Sequence, residues 1–244
     1  MNTNSDIGII TQVRMTSSRL PGKVLMKVSE KTLLGYHIDR LKQTGLKIII
    51  ATTSNEADDS IAEFAKENNL ACFRGSEANV LSRFYHAALM YQLNTIIRVT
   101  SDCPLIDPHI IRSGLEKYIQ LNNSNLYLSN TIERTYARGF DFEIFSFDAL
   151  KDAFDHAVEP GDLEHVTPYI WKDKSGKTEM YQKQQDLDHS GFRITVDTKE
   201  DFELIKLLIE QHKAHSMAYN EIENLLVDNP ELVRINAHVE QKKA

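Results

Sequence analysis

The sequence predicts an α/β fold built on a doubly wound, mainly parallel sheet. Short apolar segments alternate with longer helical segments from the beginning of the chain, which is the order that such sheets require. The apolar segments are continuous rather than alternating, as expected for strands that helices cover on both faces. Of the 244 residues, 41% are hydrophobic and 26% are charged, so the chain can bury a substantial core.

Six segments are predicted to be strands because β-branched and other apolar residues fill them. They are residues 7–13, 47–52, 71–74, 95–100, 126–128 and 192–196. Five further segments carry apolar residues at helical spacing. These predicted helices are residues 33–44, 56–68, 76–91, 108–121 and 199–212. We expect one domain over residues 1–213, followed by a C-terminal helix and arm, residues 214–244, that pack on the domain or on a partner subunit.

The composition disfavours several classes of protein. A net charge of −7 argues against nucleic acid as a partner, since such binding needs a basic surface. No apolar run approaches the roughly 18 residues that cross a bilayer, and the N-terminal residues lack the pattern of a secretory signal. Cys72 and Cys103 provide neither a disulfide framework nor a cysteine-ligated zinc site. We expect a cytoplasmic protein that binds neither nucleic acid nor membrane.

The first candidate site follows the first predicted strand, because ligands of doubly wound sheets bind beyond the carboxyl ends of strands. Residues 12–23 read QVRMTSSRLPGK. The cations Arg14, Arg19 and Lys23, together with hydroxyl groups such as that of Ser18, could bind a polyphosphate. The segment is neither a Walker A loop nor a GxGxxG turn, and a solvated basic loop is the alternative interpretation.

Two aspartates follow two other predicted strands at the same edge of the sheet. They are Asp102 and Asp197. Asp107 precedes Pro108 and has the pattern of a helix N-cap, and capping is also the simpler interpretation of Asp197 by itself. Considered together, Asp102 and Asp197 predict a shared Mg²⁺ site, because Mg²⁺ prefers carboxylate and phosphate oxygens.

Five motifs, in their order along the chain, resemble one family. They are QVRMTSSRLPGK, ATTSNEADD, FRGSEANVLSRF, RVTSDCPLIDP and RITVDTKED. Most of the chain is similar to the SpsF-type cytidylyltransferases, which are spore coat polysaccharide biosynthesis proteins, and more distantly to the CMP-sialic acid and CMP-Kdo synthetases. The resemblance implies a nucleotide-diphospho-sugar transferase fold of the GT-A-like Rossmann type. It also implies transfer of CMP from CTP to a small anionic sugar-like acceptor, with Mg²⁺ as cofactor and release of pyrophosphate, in surface polysaccharide or glycoconjugate biosynthesis.

The resemblance further assigns roles to individual residues. It places the triphosphate on Arg14, Ser18, Arg19 and Lys23. It places the metal on Asp102 and Asp197, and catalysis on these two aspartates with Lys23 and Arg14. The nucleoside would contact Thr52, Thr53, Arg74, Gly75, Ser76 and Thr100. The acceptor would face Tyr136, Arg138, Glu143 and His165.

Two other functions are compatible with this fold. A glycosyltransferase would consume a nucleotide sugar, although it would usually carry an Asp-x-Asp pair where this chain has Asp102 followed by Cys and Pro. A non-catalytic nucleotide-binding subunit is the second alternative, and the presence of Lys23, Asp102 and Asp197 argues against it. No general base is obvious, and His165 is the one histidine expected near the acceptor.

The resemblance also implies a homodimer. We expect residues 136–147 to form an extended strand that reaches towards a twofold partner, and we expect the arm after Asn229 to cross the same interface. The alternative is that the arm lies across its own subunit.

Overall fold

The computed structural model describes residues 6–241, in which a seven-stranded sheet lies between two apolar layers. The strands are β1 (Ile7–Gln12), β2 (Lys27–Val28), β3 (Lys31–Thr32), β4 (Lys47–Thr53), β5 (Ala71–Gly75), β6 (Thr95–Thr100), β7 (Leu126–Ser129), β8 (Glu143–Ser146) and β9 (Glu179–Gln182). The order in the main sheet is β5-β4-β1-β6-β8-β7-β9, and β2 and β3 form a separate two-stranded sheet. Only β8 runs antiparallel to its neighbours in the main sheet as described, which confirms the predicted mainly parallel α/β fold.

The helices cover the sheet, and the five that the sequence predicts, α1 to α4 and α8, begin within four residues of the predicted positions. They are α1 (Leu33–Lys42), α2 (Asp59–Glu67), α3 (Val80–Met90), α4 (Pro108–Leu121), α5 (Phe147–His156), α6 (Pro160–His165), α7 (Pro168–Trp171), α8 (Lys199–Glu210), α9 (Tyr219–Asp228) and α10 (Pro230–Arg234). Short 3₁₀ helices occupy Lys23–Leu25, Glu56–Asp58 and Ala214–Ser216. Asp107 caps α4, with Pro108 in its first turn, as predicted. No helix between residues 6 and 241 is long and apolar enough to span a membrane.

Burial on both faces explains why the strands are continuously apolar. Ile48 and Ile50 of β4 face the apolar layer that includes α1, α4 and α8, whereas Ile49 faces the layer that includes α3 and α5. Because successive side chains of a strand point to opposite faces and both faces are covered, apolar residues are favoured at consecutive positions of a central strand.

Two predicted extended segments differ from the expectation. Residues 192–196 do not form a strand of the main sheet; they make one isolated bridge, between Arg193 and Arg138. Residues 136–147 do not project from the subunit. Their C-terminal part is β8 inside the sheet, and Tyr136, Phe140 and Phe142 are buried in the chain's own core. That this segment contacts a twofold partner stays a prediction.

The chain after residue 213 packs on the rest of the same subunit. Ile222, Leu226 and Leu232 lie in the apolar layer that also contains α1 and α8. Asn236 is almost completely buried beyond α10. The described part of the C-terminal arm therefore lies across its own subunit, and a contact of the arm with a partner subunit stays a prediction.

Candidate active site

A cavity of about 640 Å³ opens at the carboxyl ends of β1 and β6. This volume lies within the usual range of roughly 300–1,000 Å³ for ligand sites. The cationic residues that line it are Arg14, Arg19, Lys23, Arg83, Arg98 and Arg138. The acidic residues that line it are Asp102, Asp141, Glu143, Glu164 and Asp197. The loop after β1 thus meets the predicted aspartates: Asp102 follows β6 at the same edge of the sheet, and Asp197 reaches this edge on the extended segment 192–196.

The loop between β1 and the first 3₁₀ helix folds back on itself. The Gly22 N–H donates to the Met15 carbonyl oxygen at 2.9 Å, and the Met15 N–H donates to Asp58 at 2.7 Å. Gly22 has φ of 70°, a conformation that glycine adopts without strain, and it directly precedes Lys23. This turn directs the Lys23 side chain under the loop rather than into solvent, where it is 8% exposed.

Lys23 joins the two predicted metal ligands. Its Nζ donates to Asp102 Oδ2 at 3.1 Å, to Asp197 Oδ1 at 2.8 Å and to the Val196 carbonyl oxygen at 2.6 Å. An ammonium group has three N–H donors, so all of them are used. Burial by itself would lower the pKa of Lys23, but the two carboxylates raise it above its ordinary value, and Lys23 remains charged.

The extended segment 192–196 brings Asp197 to this point. The Val196 N–H donates to the Asp102 carbonyl oxygen at 2.8 Å, and the Ile194 N–H donates to the Arg138 carbonyl oxygen at 2.8 Å. Gly139, at φ of 119°, permits the approach, since a Cβ there would lie 2.9 Å from the Ile194 carbonyl carbon. The segment thus connects two loops instead of extending the sheet, which is why it forms no strand.

The Asp197 carboxylate binds cationic side chains and does not cap a helix. Its Oδ2 accepts a hydrogen bond from Arg193 at 2.8 Å and forms an ion pair with Arg19, also at 2.8 Å. Burial would raise the pKa of Asp197, but Lys23 and Arg19 lower it, so the carboxylate is ionised. Thr198, with Asp201, caps helix α8, and Asp197 is therefore not its N-cap.

The aspartate pair fits a magnesium ion in its chemistry. Asp102 and Asp197 direct carboxylate oxygens at one point, which Lys23 Nζ occupies, and both side chains line the cavity. Mg²⁺ typically binds one or two carboxylates and completes its coordination with water and substrate phosphate. Residues 6–241 contain no cluster of three or more His, Cys, Asp or Glu side chains, so any metal here would rest on this pair alone.

The structure brings some of the other predicted residues to the cavity and leaves others outside its lining. Those that line it are Ser18, Thr100, Arg138, Glu143 and His165. Those outside the lining are Thr52, Thr53, Arg74, Gly75, Ser76 and Tyr136. Several of this second set are engaged elsewhere: the Thr53 hydroxyl donates to Asp58, and Arg74 Nη1 pairs with Asp59 at 2.6 Å. Tyr136 is buried edge-on against Tyr219.

Sequence reasoning missed two arginines that lie inside regular elements. Arg98 of β6 is bound to Glu143 and to Gln12 at the cavity wall. Arg83 of α3 is 2% exposed, yet it donates only to the Ser76 carbonyl oxygen, at 3.2 Å, and its Nε has no hydrogen-bond partner within residues 6–241. Burial and the charge of Arg14 lower the pKa of Arg83 to about 10, although the more distant carboxylates of Asp58 and Glu77 act in the opposite direction. A cation in the helix interior has no sequence signal beyond its charge.

Arg138, on another side of the cavity, is half-buried and also lacks a bonded carboxylate among the described residues. Its guanidinium makes no hydrogen bond or ion pair with the residues that the structure describes, although Asp141 is near enough to interact electrostatically. Burial lowers the pKa of Arg138, and the neighbouring charges of Arg134 and Arg193 lower it further. Arg83 and Arg138 are therefore the two lining cations for which the described chain supplies no bonded carboxylate.

The chain is similar in sequence and in structure to known cytidylyltransferases. Residues 7–244 match the family model described as cytidylyltransferase. The chain is 30% identical to the spore coat polysaccharide biosynthesis protein SpsF of Bacillus subtilis, over 93% of this chain and 96% of that protein. It is 26% identical to a 3-deoxy-manno-octulosonate cytidylyltransferase of Solibacter usitatus, over 92% of this chain and 90% of that protein. A solved cytidylyltransferase structure from Leptospira borgpetersenii superposes with a TM-score of 0.88 at 31% identity, over 98% of this chain and 99% of that one.

Proposed function

The chain belongs to the cytidylyltransferase family and is a nucleotidyltransferase, and we propose that it transfers CMP from CTP to a small anionic sugar-like acceptor and releases pyrophosphate. The observation that carries this proposal is the convergence of Lys23, Asp102 and Asp197 at one point of a cavity lined with further cations. Neither a glycosyltransferase nor a non-catalytic subunit is favoured by this geometry or by the family.

The cations of the loop after β1 would bind the triphosphate. In the proposed reaction an acceptor oxygen attacks the α-phosphorus in line, and negative charge accumulates on the departing pyrophosphate. Arg14, Ser18, Arg19 and Lys23 offer fixed donors on that side of the cavity. Preorganised charges of this kind usually dominate the catalysis of phosphoryl and nucleotidyl transfer.

We propose Mg²⁺ as the cofactor, held by Asp102 and Asp197. The ion would neutralise phosphate charge and would fix the orientation of the triphosphate. Because Lys23 Nζ occupies the point between the two carboxylates, it would release at least one of them when the ion binds. The freed ammonium donors would then be available to phosphate oxygens.

The acceptor would bind near Arg138, Glu164 and His165. Arg138 lacks a bonded carboxylate, so an acceptor that carries a carboxylate or a phosphate would balance its charge. The names of the relatives support the same class, since one acts on 3-deoxy-manno-octulosonate and one belongs to spore coat polysaccharide biosynthesis. We therefore place the reaction in surface polysaccharide or glycoconjugate biosynthesis.

Assembly and location are further parts of the proposal. We propose a homodimer in the cytoplasm, by analogy with the related synthetases. Residues 136–147 and the C-terminal arm remain the proposed contacts of such a dimer, although side chains of both also pack within the subunit. Sedimentation of the full chain at micromolar concentration measures this directly, and a monomer would contradict it.

Pyrophosphate release from the four nucleoside triphosphates, measured against a panel of sugar acids, sugar phosphates and neutral sugars, tests the function. We expect CTP with an anionic acceptor to react fastest. The Asp102→Asn and Asp197→Asn variants should each lose turnover while keeping the fold, because each removes one of the two proposed metal ligands. Higher catalytic efficiency with ATP or GTP, or with a neutral sugar, would contradict the proposed substrates.

A further inference from the structure

We infer that the C-terminal tail, residues 235–241, is a positioning element of the active site, acting through Asn236, Asp201 and Arg193 on Asp197. The inference rests on the proposed function, because it concerns the orientation of a proposed metal ligand. None of the motifs that indicated the site lies in this tail. The contacts that support the inference form one continuous chain of hydrogen bonds from the tail to the cavity.

The first contact is made by the Asn236 side chain. It is 3% exposed, and its Nδ2 donates to Asp201 Oδ1 at 2.8 Å and to the Arg193 carbonyl oxygen at 3.0 Å. An amide NH₂ has two donors, so both are used, and both partners lie next to the segment that carries Asp197.

The second contact is the ion pair between Asp201 and Arg193. Arg193 Nε donates to Asp201 Oδ1 at 2.8 Å, and its Nη2 donates to Asp201 Oδ2 at 3.0 Å, which is bidentate geometry. Asp201 is fully buried and also accepts hydrogen bonds from the N–H groups of Asp197 and Thr198. Burial would raise the pKa of Asp201, but Arg193 and Asn236 lower it, so the carboxylate stays charged.

The third contact reaches the cavity. The same Arg193 Nη2 donates to Asp197 Oδ2 at 2.8 Å, so the guanidinium is fixed by Asp201 on one side and orients Asp197 on the other. Arg193 itself does not line the cavity and therefore acts through Asp197. Two further tail contacts point to the same place: Gln241 accepts from Arg193, and the Glu240 carbonyl oxygen accepts from Arg19 at 3.4 Å.

Asn236→Ala tests this arrangement, with Asn229→Ala as a matched control. Asn229 lies on the same stretch of chain, and its Nδ2 also donates to a backbone carbonyl, that of Leu225, but it touches neither Arg193 nor Asp201. Groups that support metal ligands typically change metal affinity or activity by about 10–100-fold when they are removed. We expect Asn236→Ala to weaken Mn²⁺ binding, followed by electron paramagnetic resonance, by about tenfold, and to raise the Mg²⁺ concentration that half-saturates turnover.

The outcomes separate the inference from a general loss of stability and from the proposed function. Asn229→Ala should leave both metal readouts unchanged, whatever its melting temperature. Equal effects of the two substitutions on Mn²⁺ binding would overturn the inference. Should Asn236→Ala fail to fold, Arg193→Lys provides the second test, since it keeps the charge but loses the bidentate fork, and unchanged Mn²⁺ affinity in it would also overturn the inference. An unmodified chain that binds Mn²⁺ but releases no pyrophosphate would contradict the proposed function alone.

Discussion

Two sets of cations face the same cavity, and they differ in whether a carboxylate balances them. Lys23 and Arg19 are bonded to the Asp102 and Asp197 carboxylates at distances of 2.8 to 3.1 Å. Arg83 and Arg138 are bonded to no carboxylate within residues 6–241. Burial lowers the pKa of both guanidinium groups. The first set forms a balanced cluster, which we call the paired region, and the second set forms the unpaired region.

This difference predicts that the paired and unpaired regions have different roles in the reaction. In the paired region every Lys23 donor is used, so the charged groups hold one another close to where the phosphates would bind, and a ligand engages Lys23 by exchange of partners. In the unpaired region, buried charge is only partly compensated, which costs stability in the free protein. An anionic ligand would remove that cost on binding. We therefore expect the paired region to determine the rate of the reaction and the unpaired region to determine affinity.

Substitution of Lys23 should have the largest effect on turnover. In Lys23→Met the two carboxylates lose their shared cation, and the triphosphate loses a fixed charge, so kcat/KM for CTP should fall by about 100-fold or more. The variant should also melt at a lower temperature without metal, and added Mg²⁺ should raise its melting temperature more than that of the unmodified chain, because a cation then replaces Nζ between the aspartates.

Lys27→Met is the matched control for this change, since Lys27 is exposed on β2, four residues along the chain. Steady-state kinetics and thermal melts with and without Mg²⁺ measure both effects. If Lys23→Met and Lys27→Met behave alike, the paired region does not act as a catalytic cluster.

Substitution of Arg83 should weaken nucleotide binding without lowering the stability of the ligand-free protein. In Arg83→Met a buried guanidinium with one hydrogen bond is replaced by an apolar side chain, so the ligand-free protein should melt no lower than the unmodified chain. Nucleotide affinity should fall by about tenfold or more, because hydrogen bonds to charged groups contribute roughly 1.5–3 kcal/mol. Calorimetric titration with CTP and with cytidine shows whether a phosphate or the nucleoside is the partner.

Arg40 provides the contrasting control, because it is equally buried but fully paired. It is bonded to Asp107 and to three carbonyl oxygens, those of Ile106, His215 and Met217. Breaking such a buried pair typically costs about 3–5 kcal/mol, so Arg40→Met should destabilise the protein strongly. A comparable loss of stability in Arg83→Met would show that Arg83 is a structural residue, and the distinction between the two regions would fail there.

The paired region could be predicted from the sequence to a large extent. The rule that parallel strands end at one edge brings Lys23, in the loop after β1, close to Asp102 after β6. Asp197 reaches the same edge on segment 192–196, which is not a strand of the sheet, so the rule does not account for its position. What the rule could not provide is their mutual bonding, since Lys23 and Asp197 are 174 positions apart. The segment 192–196 was misassigned as a strand because β-branched residues favour extended backbone whether or not a neighbouring strand is present.

The unpaired region could hardly be predicted from the sequence. Arg83 occupies an ordinary position of an amphipathic helix, and a pattern of charges does not distinguish a buried arginine from a solvated one. Asn236 lies in a polar tail that gave no sign of reaching the site. The bonds of Thr53 and Arg74 to Asp58, Asn55 and Asp59 were equally absent from the sequence pattern, and the assignment of these two residues to the nucleoside stays a prediction.

His37 contacts the loop that carries Asp102 of the paired region. Of the substitutions proposed here, that of His37 should lower turnover least at neutral pH. The imidazole is fully buried between β1 and the loop that carries Asp102; its Nδ1 lies 2.8 Å from the Cys103 carbonyl oxygen and its Nε2 lies 3.0 Å from Thr11 Oγ1. Neutral histidine satisfies both contacts, donating from Nδ1 and accepting at Nε2. We expect His37→Gln to lower turnover at pH 7.5 by less than about tenfold.

The effect of His37 should appear on acidification instead. Burial lowers the pKa of His37 to about 4, whereas the histidine of the unfolded chain titrates near 6.5. The unfolded state therefore binds a proton first, and the free energy of unfolding should fall as the pH drops from about 6.5 to about 4, by up to about 3 kcal/mol from this group. Urea unfolding at pH 7.5 and pH 4.5 measures the difference, which should shrink in His37→Gln and persist in the exposed control His156→Gln. An unchanged pH dependence in His37→Gln would mean that protonation of this imidazole does not weaken the support beneath Asp102.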